Sequence, residues 1–193
     1  MKKRLGLVFD QERCIGCDTC TVACNKEHDP AEGNWIWVET QKVKIKDTPQ
    51  GVFPNLTMNF LPRTCMHCDN PPCVGACSPE ALIKREDGPV VLNGDLCDGC
   101  KACMDECPYD AIVFSEETGL VEKCDLCVHR VDEGLDPFCV ICCEGQAIHC
   151  GDFNDPESNV SKMLSDKAAF HLKLEAGTQP VICYCPPQEK MRF

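Results

Sequence analysis

The sequence predicts a small α+β fold in which two cysteine-rich modules, related by a pseudo-twofold axis, are built from short hairpins and short helices. Three observations predict this fold. The 193-residue chain contains 20 cysteines, a share at which cysteine chemistry outweighs ordinary core packing. Sixteen of these cysteines form four successive groups of four. Short apolar stretches that fit two-stranded hairpins lie beside the groups.

The first cysteine group follows a short strand predicted at residues 4–9 and runs into a short helix predicted at residues 18–28. Its spacing is C-x2-C-x2-C-x3-C, and its members are Cys14, Cys17, Cys20 and Cys24. The third group repeats this spacing, is followed by Pro108, and consists of Cys97, Cys100, Cys103 and Cys107. This run, with its closing proline, is the known spacing of bacterial ferredoxins, whose cysteines hold iron–sulfur clusters.

Two further groups keep the same arrangement with altered gaps. The second has the spacing C-x2-C-x4-C-x3-C and consists of Cys65, Cys68, Cys73 and Cys77. The fourth has the spacing C-x2-C-x11-C-x3-C and consists of Cys124, Cys127, Cys139 and Cys143. Four groups of four thiolates match the ligand requirement of four [4Fe–4S] clusters.

Two other uses of cysteine fit this pattern less well. Disulfide scaffolds are usually short secreted chains. Structural zinc sites usually combine two C-x2-C pairs separated by a dozen or more residues. Here the pairs run into one another, so the spacing favours iron–sulfur clusters over both alternatives.

The cysteine pattern resembles that of the four-cluster iron–sulfur subunits of molybdopterin or tungstopterin oxidoreductases. These include the electron-transfer subunits of dimethyl sulfoxide, polysulfide, thiosulfate and arsenate reductases and of pyrogallol–phloroglucinol transhydroxylase. The resemblance also rests on the segments FLPRTCMHCDNPPC (60–73), KREDGPVV (84–91), VEKCDLCVHR (121–130) and LEAGTQP (174–180). Three positions depart from the family pattern. Ser78 and Glu144 replace usual prolines, and Asp110 replaces a usual glycine.

The resemblance implies that each cluster draws ligands from two groups, because in two-cluster ferredoxins the fourth cysteine of a run ligates the other cluster. Four sites are expected. Site 1 comprises Cys14, Cys17, Cys20 and Cys143, and site 2 comprises Cys24, Cys124, Cys127 and Cys139. Site 3 comprises Cys65, Cys68, Cys73 and Cys107, and site 4 comprises Cys77, Cys97, Cys100 and Cys103.

The order of the groups divides the chain into modules. Groups two and three predict one ferredoxin-like module at residues 61–117. Groups one and four predict the other, split between residues 1–30 and 118–160. Hairpins are predicted at 81–84 with 89–92, and at 112–115 with 120–122. Residues 161–193 are expected to wrap around the domain or a partner.

Residues 31–60 form an insertion between the first two groups. Within it, Trp35, Trp37, Val43 and Ile45 alternate with polar positions, which predicts a half-buried strand. Two interpretations stay open. The insertion is either a hairpin lid over the cluster-binding domain or a contact patch for a partner subunit.

The four cysteines outside the groups are Cys142, Cys150, Cys183 and Cys185. Free cysteine is often simply buried, and packing is the expected role. Cys183 and Cys185 would face the same side of a strand, so a metal or disulfide role with Cys142 or Cys150 stays open. His67 lies inside the second group, but all four thiolates are present there, so it is not expected to be a ligand.

The predicted clusters indicate electron transfer. No catalytic role is expected, because the sequence has no nucleophile–base motif and no phosphate-binding or dinucleotide-binding loop. The resemblance implies a large molybdopterin or tungstopterin catalytic subunit as one partner. A membrane anchor, a cytochrome or a soluble carrier is implied as the other. The alternative is a free-standing polyferredoxin that serves several enzymes.

Charge and hydropathy exclude several other classes. A net charge of −12 argues against nucleic-acid binding, which needs a basic face. No apolar run reaches the ~18 residues that span a bilayer. The apolar stretch 5–9 is too short for a secretory signal. Family members can be exported with a signal-bearing partner, so both cytoplasm and periplasm stay open.

Overall fold

The computed structural model describes residues 2–41 and 48–187, which form a small α+β fold of short elements. The strands are β1 (Leu5–Asp10), β2 (Ile36–Thr40), β3 (Gln50–Val52), β4 (Asn55–Thr57), β5 (Phe60–Thr64), β6 (Leu82–Lys84), β7 (Val90–Leu92), β8 (Val113–Phe114), β9 (Val121–Glu122), β10 (Ile148–Asp152) and β11 (Cys183–Cys185). The helices are α1 (Thr19–His28), α2 (Pro72–Gly75), α3 (Ala102–Asp105), α4 (Val128–Val131), α5 (Phe138–Ile141) and α6 (Asn159–Asp166), with 3₁₀ turns at Gly94–Leu96 and Leu174–Ala176.

A three-stranded sheet in the order β10-β1-β11 brings together distant parts of the chain. β1 pairs antiparallel with β10, placing Val8 opposite His149, and parallel with β11, placing Val8 opposite Cys183. Leu7, Val8 and Phe9 are buried because β1 has neighbours on both edges and side chains packed on both faces. This buried strand leads directly into the first cysteine group and holds it against the fourth.

The predicted hairpins are present beside the second and third cysteine groups. β6 pairs antiparallel with β7, and β8 pairs antiparallel with β9. Leu82, Val90, Ile112 and Val121 from these segments form one buried cluster with Cys73 and Cys103. The hairpins therefore supply the apolar wall behind the cysteines of groups two and three.

The strand predicted through Trp35 and Trp37 is present as β2, and it pairs antiparallel with β5. The fully buried face of this strand carries Ile36 and Val38, whereas both tryptophans are half-buried. The rings of Trp35 and His28 pack against each other at a centroid distance of 4.5 Å, tilted by 36°, and the guanidinium of Arg63 lies 6.0 Å from the centre of the Trp37 ring. The aliphatic face of β2 therefore packs into the core, and the two tryptophans lie at the edge of that core. Val43 and Ile45 lie outside the described residues.

The backbone repeats one unusual conformation in all four cysteine groups. The residue just before the second cysteine of each group has a positive φ of 45–70°, and these residues are Gly16, His67, Gly99 and Leu126. A Cβ on Gly16 would lie 2.4 Å from the ring of Phe60, and one on Gly99 would lie 2.3 Å from the Gly119 carbonyl oxygen. His67 and Leu126 adopt this turn with a side chain, so it is the close approach that requires glycine at positions 16 and 99, where glycine also adopts the turn without steric cost.

A second left-handed position explains the departure at Asp110. Three residues after the fourth cysteine of groups two, three and four, φ is again positive, at Glu80, Asp110 and Gln146. Glycine adopts this conformation at no steric cost, which accounts for the glycine usual at position 110, and aspartate tolerates it better than most residues. The substitution therefore keeps the local turn.

The C-terminal segment, residues 178–185, connects distant parts of the molecule through hydrogen bonds. The Val181 N–H donates to the Met66 carbonyl oxygen at 3.1 Å. The hydroxyls of Thr178 and Tyr109 lie 2.7 Å apart, and the Tyr184 hydroxyl donates to the Pro62 carbonyl oxygen at 2.9 Å. These bonds connect residues 178–184 to the regions of the second and third cysteine groups, while β11 connects them to β1.

Candidate iron–sulfur centres

The cysteines assigned to site 1 line one cavity. Its lining includes Cys14, Cys17, Cys20 and Cys143. Cys20 lies in the first turn of α1, which packs against α5, and Cys143 follows the end of α5. The helix contact therefore brings a residue of the fourth group to the loop of the first.

The cysteines assigned to site 2 line a second cavity, whose lining includes Cys24, Cys124, Cys127 and Cys139. Cys24 lies one helical turn after Cys20 on α1 and faces this other cavity. Sequence neighbours on α1 thus contribute to different cavities, as the crossed assignment expects.

The cysteines assigned to site 4 line a third cavity, whose lining includes Cys77, Cys97, Cys100 and Cys103. The common lining of four thiols fits the same kind of group in each of the three cavities.

The cysteines assigned to site 3 are recognised by their mutual influence. Burial raises the pKa of the Cys73 thiol to about 12, and the neighbouring Cys65, Cys107 and Cys68 also raise it. Burial likewise raises the pKa of Cys68 to about 11, with Cys65 and Cys107 again contributing. The structure therefore brings all four of these sulfurs into one neighbourhood.

The donor set fits iron–sulfur clusters. Burial, reinforced by neighbouring thiols, raises the pKa of Cys20 to about 12 and that of Cys103 to about 11, and raises the pKa of Cys24 and Cys139 further. Four buried thiolates in one cavity are stable only beside strong positive charge, which iron supplies. All 20 cysteines are free of disulfides, so the thiols are available as ligands.

Backbone amides point at several of these sulfurs. The Leu82 N–H donates to Cys77 Sγ at 3.4 Å, the Leu126 N–H to Cys124 Sγ at 3.4 Å, and the Ala147 N–H to Cys143 Sγ at 3.2 Å. Amide donors stabilise negative charge on sulfur and help to set cluster potentials. The left-handed turns described above aim the chain so that these amides face inward.

The four sites differ in their access to solvent. Cys17 in site 1 and Cys100 in site 4 are exposed. In sites 2 and 3 every assigned cysteine is buried or partly buried, as Cys127 and Cys65 illustrate. Sites 1 and 4 therefore reach the surface, whereas sites 2 and 3 lie inside.

His28 belongs to site 2, although it was not among the predicted site residues. Its Nε2 lies 3.1 Å from Cys127 Sγ and 3.7 Å from a carboxylate oxygen of Asp125, and its ring lines the site 2 cavity. The i, i+4 spacing from Cys24 places both side chains on one face of α1, and it is the one sequence signal that points to this residue. Because four cysteines already line this cavity, His28 is a neighbour of the ligand set.

The remaining cysteines and His67 occupy other environments. Cys183 and Cys185 are buried against Val8 and Val160, consistent with packing. Cys142 is half-buried and lines a surface groove beside Cys143. His67 is fully buried, and its Nδ1 accepts the Val90 N–H at 3.0 Å.

Within residues 2–41 and 48–187, no helix is both long enough and apolar enough to cross a bilayer.

Comparison with known proteins places the chain in a family. Residues 56–153 match the 4Fe–4S dicluster domain model. The chain is 42% identical to a tetrathionate reductase subunit of Salmonella typhimurium, over 95% of this chain and 72% of that protein. It is 35% identical to a polysulfide reductase chain of Wolinella succinogenes, over 96% of each. It is 33% identical to the arsenate respiratory reductase iron–sulfur subunit of a Shewanella species, over 94% of this chain and 95% of that protein.

The fold and the cysteine sites define a [4Fe–4S] electron-transfer protein. The chain belongs to the family of iron–sulfur subunits of the molybdopterin oxidoreductases. Members of this family are electron-transfer components of reductase complexes and not the catalytic subunits, and the chain's complement is four [4Fe–4S] clusters. This membership disfavours the alternative of a free-standing polyferredoxin.

Proposed function

We propose that this chain relays single electrons between a large molybdopterin or tungstopterin catalytic subunit and a second redox carrier. The observation that carries the proposal is the exposure pattern, with surface cysteines in sites 1 and 4 and enclosed sites between them. A relay between two partners needs an accessible centre at each end and shielded centres inside. When bound, each cluster accepts and returns one electron.

We further propose the crossed ligand sets and the pseudo-twofold arrangement of two ferredoxin-like modules. The shared cavities of sites 1, 2 and 4 support the ligand sets. The packing of α1 against α5 and of α2 against α3 supports the symmetry, because each pair joins corresponding helices of two cysteine groups.

The proposed order of the relay is site 1, site 2, site 3 and site 4. Cys20 and Cys24 lie one turn apart on α1 and connect sites 1 and 2. Cys65 is close enough to contribute to the raised pKa of Cys124, whose main cause is burial, and this proximity connects sites 2 and 3. Sites 3 and 4 meet where α2 packs against α3. Neighbouring sites are thus linked at every step by a shared helix, by close cysteines or by packed helices.

The insertion at residues 31–60 supplies a candidate partner contact. β3 and β4 form a hairpin that exposes Val52, the last residue of β3, and Phe53 in the turn, with relative accessibilities of 81% and 83%. Large apolar side chains this exposed are typical of surfaces that become covered in a complex. This supports the contact-patch interpretation for the hairpin, while β2 serves as part of the domain.

The isolated chain should show no turnover of its own. After anaerobic reconstitution it should accept electrons from dithionite, yet reduce no oxyanion, sulfur compound or sulfoxide with a viologen donor. Addition of its catalytic partner should restore electron flow, and Cys73→Ser in enclosed site 3 should stop that flow while the buried control Cys183→Ala preserves it. Substrate reduction by the single chain would contradict the relay. Comparable electron delivery to several unrelated enzymes would favour the polyferredoxin alternative.

The register of the fourth group can be tested at adjacent thiols. Cys143 lines the site 1 cavity and its sulfur accepts the Ala147 N–H, whereas Cys142 lies at the surface groove. We expect Cys142→Ser to leave iron content almost unchanged and Cys143→Ser to lose one cluster, measured as iron per chain. The opposite result would place Cys142 in the ligand set.

A further inference from the structure

Lys123 places an ammonium group in the interior of the protein. The residue is only 3% exposed and immediately precedes Cys124. Its Nζ donates to the Cys124 carbonyl oxygen at 3.0 Å and to the Val90 carbonyl oxygen on β7. The cation is thus fixed between β7 and the loop that begins the fourth cysteine group.

This ammonium has no carboxylate partner among residues 2–41 and 48–187. Lys84 provides the contrast. It also donates to interior carbonyls, those of His67 at 2.8 Å and Gly88 at 2.5 Å, but Asp69 lies 3.3 Å from its Nζ. A buried charge without a counterion is strongly destabilising, because carbonyl bonds replace only part of the lost hydration. Lys123 therefore needs negative charge from another source.

Cysteines of two different sites lie beside this ammonium and can supply that charge. Cys124 of site 2 is covalently adjacent to Lys123. Val90, whose carbonyl oxygen accepts from the Lys123 ammonium, packs in the same buried cluster as Cys73 of site 3. His67, between two site 3 cysteines, is hydrogen-bonded to the same residue, because its Nδ1 accepts the Val90 N–H at 3.0 Å.

We propose that Lys123 is a positioning residue for electron transfer, whose ammonium is the fixed countercharge shared by sites 2 and 3. Four thiolates around a [4Fe–4S] core leave a net negative charge, and reduction adds one more. A cation held in the low-dielectric interior stabilises the reduced form at both sites. Because it is hydrogen-bonded to Cys124 of site 2 and to Val90, which packs with Cys73 of site 3, it favours reduction of the two inner sites over reduction of the outer ones. The inference rests on the proposed relay and its ligand sets.

The test is a redox titration of Lys123→Met in the full-length reconstituted chain, followed by electron paramagnetic resonance. Signals are first assigned with single-cysteine variants of sites 2 and 3. We expect the reduction equilibrium of these two sites to fall about tenfold, which is about 59 mV for a one-electron couple. Sites 1 and 4 should change by less than about twofold. The titration needs no partner protein, so failure of this inference is distinguishable from failure of the relay itself.

Lys84→Met is the matched control. It removes a second carbonyl-bound ammonium near the same region, but one that Asp69 already compensates, so its effect should be clearly smaller. If Lys123→Met loses iron, Lys123→Gln is titrated in its place, because glutamine retains an amide donor without the charge. Three results would overturn the proposal. The first is an equal shift of the reduction potential at all four sites, and the second is an unchanged potential at sites 2 and 3 in a Lys123 variant that keeps its iron. The third is an equally large shift in Lys84→Met. Loss of iron from Lys123→Met, Lys123→Gln and Lys123→Arg alike would also overturn it, since the role would then be structural.

Discussion

Cys24→Ser should damage the cluster held by residues 124–139 and spare the one beside it in sequence. Cys24 shares its cavity with Cys124, Cys127 and Cys139, about a hundred positions away. It lies in α1 one turn, about 5 Å along the axis, beyond Cys20, and this displacement carries it past the cavity of Cys14 and Cys17 to the neighbouring one. Serine at this position removes one of four thiolates, and we expect loss or conversion of that single cluster, with at most about four irons lost per chain.

The electrostatic environment of the thiols gives the same grouping. Burial raises the pKa of Cys24, and Cys124 and Cys127 are the neighbouring thiols that raise it most. For Cys14, burial again dominates, but the neighbouring thiols are Cys143 and Cys17. Two cysteines of one sequence group therefore have different spatial partners.

The measurement is electron paramagnetic resonance of anaerobically reconstituted Cys24→Ser, Cys124→Ser and Cys14→Ser. Cys24 and Cys124 should change the same signal, while Cys14 changes another. Cys183→Ala is the control, because this buried cysteine packs against Val8 outside the four sites and should leave every signal in place. A common signal for Cys24 and Cys14 would show that each sequence group holds its own cluster, and the crossed architecture would be wrong.

Local features of this fold could be predicted because they depend on short-range chemistry. Cysteine spacing fixes the loops, and Gly16 and Gly99 mark the left-handed turns that those loops need. The two hairpins could be read from apolar runs on either side of turn residues. Each of these signals lies within about a dozen residues, where the sequence pattern and the local geometry correspond directly.

Features that depend on long-range packing could not be read in the same way. The alternation around Trp35 and Trp37 predicted a strand correctly, but the deeper face carries Ile36 and Val38, since only pairing with β5 determines which face meets the core. The strand β11 has only three residues, which is too short for its parallel pairing with β1 to be predicted from the sequence. Lys123 carries no spacing signal that distinguishes it from a surface lysine. Its role follows from which sites surround it, and that is set by tertiary structure.

Iron removal should unfold this protein. Helices α2, α3, α4 and α5 have four residues each, and β8 and β9 have two each. Elements this short are unstable alone, because helix nucleation and hairpin formation cost more than such few bonds return. Many core positions are themselves cysteines of the proposed sites, such as Cys20, Cys65 and Cys139. Without iron, these positions contribute four small side chains around each cavity.

The energies support a complete loss of structure. Structural metal sites contribute on the order of 10 kcal/mol in well-studied small domains, comparable with the whole stability of a typical domain, about 5–15 kcal/mol. Anaerobically purified protein should contain about 16 iron and 16 acid-labile sulfide per chain. Oxidative removal with a chelator should abolish the cooperative thermal transition and most of the far-ultraviolet circular dichroism of the helices and strands. Reconstitution with iron and sulfide under reducing conditions should restore both, which separates loss of metal from irreversible damage. An iron-free chain that keeps its secondary structure and melts cooperatively would show that the polypeptide core is sufficient, and an iron content near eight at full occupancy would contradict the four-cluster assignment.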